Sequence, residues 1–446
     1  MHLAYNLSGM YVCSMKKALI ILAVISAWTS NVFAVGYEKE QEISKDVNAY
    51  LEAGGYILHD SEAAWIVQSL ADQLSDHIKD RLYNIKVQIV KDPSINAFAI
   101  TDGHIYINSG TLIFVKDMDE LAAVMAHEMG HCQLRHIPNS MDNQAKITAA
   151  SVIGMILGAV VTVANPAIGS AILMSSLGGA QNMSLAYTRT NEKEADEFAR
   201  RLLKDSNMDP SAMTRFLIRL RAYSDTTNIP QYMLTHPYTQ DRIAAVGEDP
   251  TPPKPDSRYW LLSSTVMGGL MGSKEIKIRS TGMPETYLNL ALGISNSRNG
   301  RFKESLSELQ NNELPQAKGW IGVDYYYLNE KEKAYPYLKA DPKNSVAANA
   351  LADIMLGKGQ YDEAIITLLP FSSQSPRAAY TLGILYEKKG KDGLSHFSFA
   401  KYFLSTGNIS ACMHHVDMAL NDKTLDDDTR SQIKAMKETV SKFGRS

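Results

Sequence analysis

The chain of 446 residues carries 45 basic and 48 acidic side chains, a net charge of −3, and is 45% hydrophobic. That length and apolar content suffice for two well-packed domains. Charges of both signs are interspersed, so no basic stripe marks a nucleic-acid partner.

From Met15 the sequence follows a secretory signal: Lys16-Lys17 as the charged start, Ala18 to Trp28 as the apolar core, Val32-Phe33-Ala34 as a small-residue cleavage site. The apolar core is short for a membrane span. Residues 1–34 are expected to be a signal peptide, with translation starting at Met1 or Met15, and export to an oxidising compartment follows. Residues 41–80 then read as helices broken at Ala53-Gly54-Gly55. Ile85 to Val90 and Ile105 to Ile107 alternate apolar and polar side chains, the period of a half-buried strand. Asp119 to Arg135 reads as a helix with Leu121, Val124, Met125 and Leu134 as its apolar residues.

Residues 147–188 contain no charged side chain. Within them 147–177 reads as a helical hairpin broken at Asn165-Pro166. It is either a lid over a cleft, a surface touching a membrane or partner, a membrane anchor, or buried core. Arg189 to Arg200 is a second charged helix. Glu248 to Pro255 is rich in proline and cannot continue a helix. From Pro284 onward, small-residue helices alternate with Gly turns at Gly300, Gly359, Gly390 and Gly407, and Asp341-Pro342-Lys343-Asn344 supplies a turn between units. This is the tetratricopeptide pattern, whose stacks form grooves for peptides or partner proteins. The expected organisation is a signal at 1–34, a first domain at 35–248, a Pro-rich linker and connector at 249–283, and repeats at 284–440. Cys132 and Cys412 either form a disulfide between the domains or are two buried thiols.

The chemistry concentrates in His127-Glu128-Met129-Gly130-His131. On a helix, residues four apart share a face, so both imidazoles can meet one ion with Glu128 beside them. Two nitrogens, one further protein ligand and an open position for water suit catalytic zinc, with Glu128 as the base that takes the water's proton. The third ligand is sought among Glu192, Glu194 and Asp196. Glu192 and Asp196 share a face, whereas Glu194 points roughly 160° away. Glu192 is assigned to one Zn2+ per chain. Asp196 is assigned to the free ring nitrogen of a ligating histidine or, alternatively, to protonation of the leaving amine. Glu194 is left as a solvated face. A third histidine in the metzincin position is missing, since Ile137 stands there and Leu134 replaces the required Gly. His136, one residue short, is read as a surface histidine.

With these motifs the chain resembles the HtpX-like and CAAX-prenyl-protease superfamily of zinc metallopeptidases. Asn96-Ala97-Phe98-Ala99, Gly110, Leu112, Arg189, His236-Pro237, Arg242 and Ile243 extend the match. Joined to the repeats, it looks like the soluble periplasmic protease-chaperone branch. The resemblance implies a mainly α fold: a zincin-like metallopeptidase domain with a small β-sheet, then an α-solenoid of tetratricopeptide repeats. It places His236 near the metal, as a fourth ligand that keeps the enzyme latent or as an oxyanion stabiliser. It sets the strands over the cleft, where an edge can bind extended, unfolded peptide. Unfolded or misassembled outer-membrane proteins are the implied clients, with the repeats docking on the assembly machinery. The rival expectations are a non-proteolytic chaperone or scaffold with a silent zinc site, and a membrane-tethered protease.

Overall fold

The computed structural model describes residues 36–143, 188–225, 229–236, 242 and 251–442. The expected signal peptide and the uncharged hairpin at 147–177 lie outside the described residues. Helix α1, Tyr37–Ala53, stops where the sequence places its break. Gly55 adopts φ +71°, and the Gly55 and Tyr56 amides turn back to the Glu52 and Leu51 carbonyls, a glycine-terminated helix end. Asp60 then caps α2, Ser61–Ser75, accepting from the Ala63 amide. Gln68 on α2 accepts from Val87 N and donates to the Ile85 carbonyl, which docks the helix on the sheet.

That sheet has three strands, β1 (Lys86–Val90), β2 (Ala97–Ala99) and β3 (His104–Asn108), in the order β1-β3-β2. β1 runs parallel and β2 antiparallel to β3. The alternating pattern foretold β1 and β3. β2, at three residues, is too short to display a period. Helix α3, Ser109–Phe114, leads to α4, Met118–Gln133, then α5, His136–Asn143, α6, Arg189–Asp205, α7, Ala212–Ser224, and α8, Gln231–Thr235. The apolar side chains of α2, α4, α6, α7 and the sheet form one core.

The Pro-rich stretch is pinned to this core. Thr251 Oγ1 donates to Asp209 and Lys254 N to Asp117. Beyond it, Asp256 caps α9, Ser257–Leu270, whose Tyr259, Leu262 and Val266 are buried in the same core. The connector therefore carries a helix continuous with the first domain and packed on the next helices as well.

After α10, Ser273–Arg279, helices pair in sequence: α11 (Glu285–Arg298) with α12 (Phe302–Leu309), α13 (Pro315–Tyr327) with α14 (Lys331–Leu338), α15 (Ser345–Gly357) with α16 (Tyr361–Leu368). α17 (Pro376–Lys388), α18 (Asp392–Ser405), α19 (Ile409–Asn421) and α20 (Asp427–Ser441) continue the stack, and first helices of successive pairs also touch. A Cβ on Gly322 would lie 2.7 Å from Leu338 N and one on Gly383 2.7 Å from the Phe399 ring, so the small residues of the pattern permit close helix approach. The pair α13–α14 escaped the sequence reading because its turn uses Asn329, at φ +64°, in place of Gly. The expectation of a mainly α chain, with a small sheet followed by a helical region, holds. Cys132 and Cys412 are buried free thiols, so the disulfide alternative is not realised.

The stack is fastened to the first two helices. Ser61 Oγ bonds the Lys343 carbonyl and the Ser345 amide, Arg298 pairs with Asp60, and Lys442 reaches Glu42 and Asp46. At this junction Glu62 and Asp341 are buried. Burial, and then the nearby Asp341, push the Glu62 carboxyl above its ordinary value; burial does the same to Asp341. The folded chain thus holds protons that the unfolded chain releases. Stability from these groups is present below the ordinary carboxylate range and is lost as pH rises through the raised values. Glu62→Gln keeps an acceptor for Gln316 Nε2, which bonds Glu62 Oε1 at 2.8 Å. It is expected to raise the melting temperature at pH 8 by about 2–6 °C and to change little at pH 4.5, as calorimetry at the two pH values will read.

Candidate metal centre

Helix α4 begins at Asp117, whose side chain accepts from the Glu120 amide, and runs through the core. His127, Glu128 and His131 are therefore fully enclosed, at 0%, 0% and 2% exposure. The four-residue spacing brings His127 Nε2 and His131 Nε2 to 3.1 Å. Helix α6 starts with a capping box between Thr188 and Asn191 and crosses α4 closely. A Cβ on Gly130 would lie 3.1 Å from Ala195 Cα, so the small residue inside the histidine motif sets the approach. Glu192 then stands with Oε1 3.4 Å from His131 Nε2 and Oε2 3.5 Å from His127 Nε2.

His236, at the end of α8, closes the group. Its Nδ1 lies 3.0 Å from Glu192 Oε1 and 3.3 Å from His127 Nε2. Its ring stacks on Tyr232 at 4.4 Å. The ligand atoms of His127, His131, Glu192 and His236 lie within 4.8 Å of one another. Atoms about 2.0–2.2 Å from a tetrahedral ion are about 3.3–3.6 Å apart, so the spacing and the three-nitrogen, one-carboxylate donor set fit a transition metal. Glu128 lies beside them: Oε2 accepts from Ala99 N of β2 at 2.9 Å, and Oε1 is 3.4 Å from His236 Nε2. Buried Oε1 has no hydrogen-bond partner among the described residues.

Asp196 sits behind His127, with Oδ1 2.9 Å from Nδ1. Both its oxygens are also held by Arg242 at 2.7 Å. This is the geometry of a group that orients a ligand, and it favours that expectation over delivery of a proton to a leaving amine. Arg242, which the sequence marks only through the resemblance, further pairs with Glu192 Oε2 at 2.6 Å, a positioning contact. His136 overturns its assignment to the surface. It is 3% exposed, and its Nδ1 is 2.8 Å from His131 Nδ1. The cause is Arg135, at φ +54°, whose guanidinium is held by buried Glu40; the chain reverses there and α5 starts against the site. Glu194 is exposed as expected, yet its Oε2 is 3.1 Å from His136 Nε2.

The electrostatics follow from this enclosure. Burial would lower His127, but Asp196 and Glu192 outweigh it and raise its pKa to about 9. Burial would raise Glu192, yet His236, His127 and His131 hold it far below the carboxylate range. Burial pushes Glu128 up, opposed by His236 and His127, and pushes His131 down. Glu192 is thus a charged donor, while Glu128 sits where burial favours its protonated form.

An α-helical domain with a short sheet, two helix-borne histidines, a glutamate from the next helix and an adjacent buried glutamate is the architecture of an HExxH metallopeptidase. Residues 58–249 match peptidase family M48. It is similar to the beta-barrel assembly-enhancing protease of Yersinia pestis, 26% identical over 71% of this chain and 63% of that protein. The protein of that name from Escherichia coli K12 is 24% identical over 71% of this chain and 62% of its own length. Metalloprotease LoiP of Escherichia coli K12 is 30% identical over 34% of this chain and 57% of its own. The chain thus matches about three fifths of the length of the first two relatives. Among the described residues, no helix is long and apolar enough to cross a membrane.

Proposed function

We propose that the chain is a zinc endopeptidase of unfolded or misassembled proteins, exported to the periplasm and acting in outer-membrane protein quality control. The observation that carries this reading is the convergence of His127, His131, Glu192 and His236 with Glu128 alongside. The assembly role rests on relatives named as beta-barrel assembly-enhancing proteases. Chaperone activity, and docking of the tetratricopeptide-like stack on assembly machinery, belong to the same proposal.

Bound zinc would lower the pKa of a coordinated water towards ~7 and polarise the scissile carbonyl. Glu128 takes the water's proton; the Ala99 amide bonded to Oε2 fixes the carboxylate while Oε1 remains for the transfer. Asp196 holds the His127 ring, and Arg242 holds Asp196 and Glu192. β2, which carries Ala99 at the edge of the sheet, is where an extended substrate would add as a strand. That mode reads backbone rather than sequence and suits unfolded clients.

A second reading is favoured by His236 Nδ1, which stands among the ligand atoms. As a fourth ligand it would occupy the water's place and keep the centre latent. The test is digestion of unfolded casein by the full chain and by His236→Ala, with zinc counted in both. We expect one zinc per chain, slow cleavage by the wild type and several-fold faster cleavage by the variant. Slower cleavage with zinc retained would instead assign His236 to the oxyanion. A wild-type chain devoid of transition metal would end the hydrolase reading.

A further inference from the structure

We propose that Glu194 and His136 form a positioning relay that fixes the ring of His131 as a metal ligand. The inference rests on the zinc reading above and deepens it.

His131 Nε2 faces the other ligand atoms, 3.1 Å from His127 Nε2 and 3.4 Å from Glu192 Oε1, so Nδ1 is its rear nitrogen. A neutral imidazole carries one N–H, and a nitrogen that binds metal must be bare. The proton of a ligating His131 is therefore on Nδ1. That atom lies 2.8 Å from His136 Nδ1, which must then accept. The His136 proton is consequently on Nε2, which donates to Glu194 Oε2 at 3.1 Å. Every link agrees with a single assignment. Running the chain the other way would put a proton on His131 Nε2, in the middle of the metal cage.

The relay also gives each of three acidic groups of helix α6 a separate place at the centre. Glu192 enters the centre, Asp196 stands 2.9 Å behind His127 Nδ1, and Glu194, on the opposite face, reaches His136. Both histidines of α4 are thus backed by α6, one directly and one through a second imidazole. The rings of His131 and His136 are 4.9 Å apart at 72°, with both residues nearly fully buried, so the link is shielded from competing water. Partners of this kind orient a ligand and raise its basicity; removing one typically costs about 10–100-fold in metal affinity.

The test compares full-length wild type, His136→Leu, His136→Gln and Glu194→Gln, with Glu197→Gln as an exposed control on the same helix. Zinc affinity is read by competition with a chromophoric chelator, and the ligand field by the visible spectrum after cobalt substitution. His136→Leu is expected to weaken zinc by about 10–100-fold and to shift the cobalt bands. His136→Gln can accept from His131 and donate to Glu194, and should recover most of the affinity. Glu194→Gln should lose a few-fold and Glu197→Gln nothing. Wild-type affinity and an unchanged cobalt spectrum in His136→Leu, with the apo protein folded by circular dichroism, would overturn the relay. Should that variant not fold, Glu194→Leu, altering an exposed group, decides by the same two readings. A wild type that binds neither zinc nor cobalt defeats the parent reading instead, before any variant is compared.

Discussion

Glu128→Gln is expected to keep the fold and the bound metal while cleavage of unfolded casein falls by roughly 10²–10⁴-fold. The substitution is isosteric, and its carbonyl oxygen can still accept from Ala99 N, which bonds Glu128 Oε2 at 2.9 Å. What it removes is the capacity to take a proton. Burial pushes the Glu128 carboxyl upward, against the pull of His236 and His127, so the site does not depend on its negative charge for stability and a neutral amide should fit without loss. The chemistry and the architecture are thereby separated by a single atom. Zinc content and melting temperature should match the wild type when measured beside kcat. Unimpaired turnover by a zinc-loaded variant would remove Glu128 from the mechanism, and with it the assignment of water activation to this helix.

How far the centre could be read beforehand depended on whether local geometry or tertiary contact placed each residue. His127, His131, Glu192 and Asp196 were legible because four-residue spacing converts directly into a shared helix face. The separation of Glu194 from its neighbours was legible for the same reason, but its destination was not. His136 reaches the site only because Arg135 turns the chain in a left-handed conformation and buried Glu40, far away in sequence, holds the guanidinium. His236 is brought to the centre across more than a hundred residues by α8, whose Tyr232 amide bonds the Ile95 carbonyl; no periodicity encodes that distance, and the residue was assigned through resemblance alone. In the fold, the long periodic helices and two alternating strands were visible. β2 was too short to show a period, Asn329 stood where a Gly marks the other turns, and the proline run hid the helix at 257–270, whose Tyr259, Leu262 and Val266 complete the first core.

Stripping the metal should produce the second large effect, on stability as well as turnover. His127, His131, Glu192 and His236 are almost wholly removed from water, and their ligand atoms crowd within 4.8 Å. A divalent cation at their centre would compensate Glu192 and bind the imidazole nitrogens that converge there. Because the unfolded chain cannot assemble this set, binding stabilises the folded state by about 4 kcal/mol at a free-metal level one thousand times Kd. For a domain of this size that corresponds to about 8–16 °C in melting temperature. Treatment with a chelator should therefore lower the transition by that order and abolish casein cleavage together. Zinc should restore both. Magnesium and calcium, which favour all-oxygen cages, should restore neither. The pairing of the two readouts matters: Asp196 and Arg242 hold each other at 2.7 Å through a contact that involves no ion, so the demetallated chain should remain folded below its lowered transition and accept metal again. Persistent cleavage by a chain verified as metal-free would place the hydrolytic chemistry elsewhere, and an unshifted transition would mean that the four groups do not share an ion.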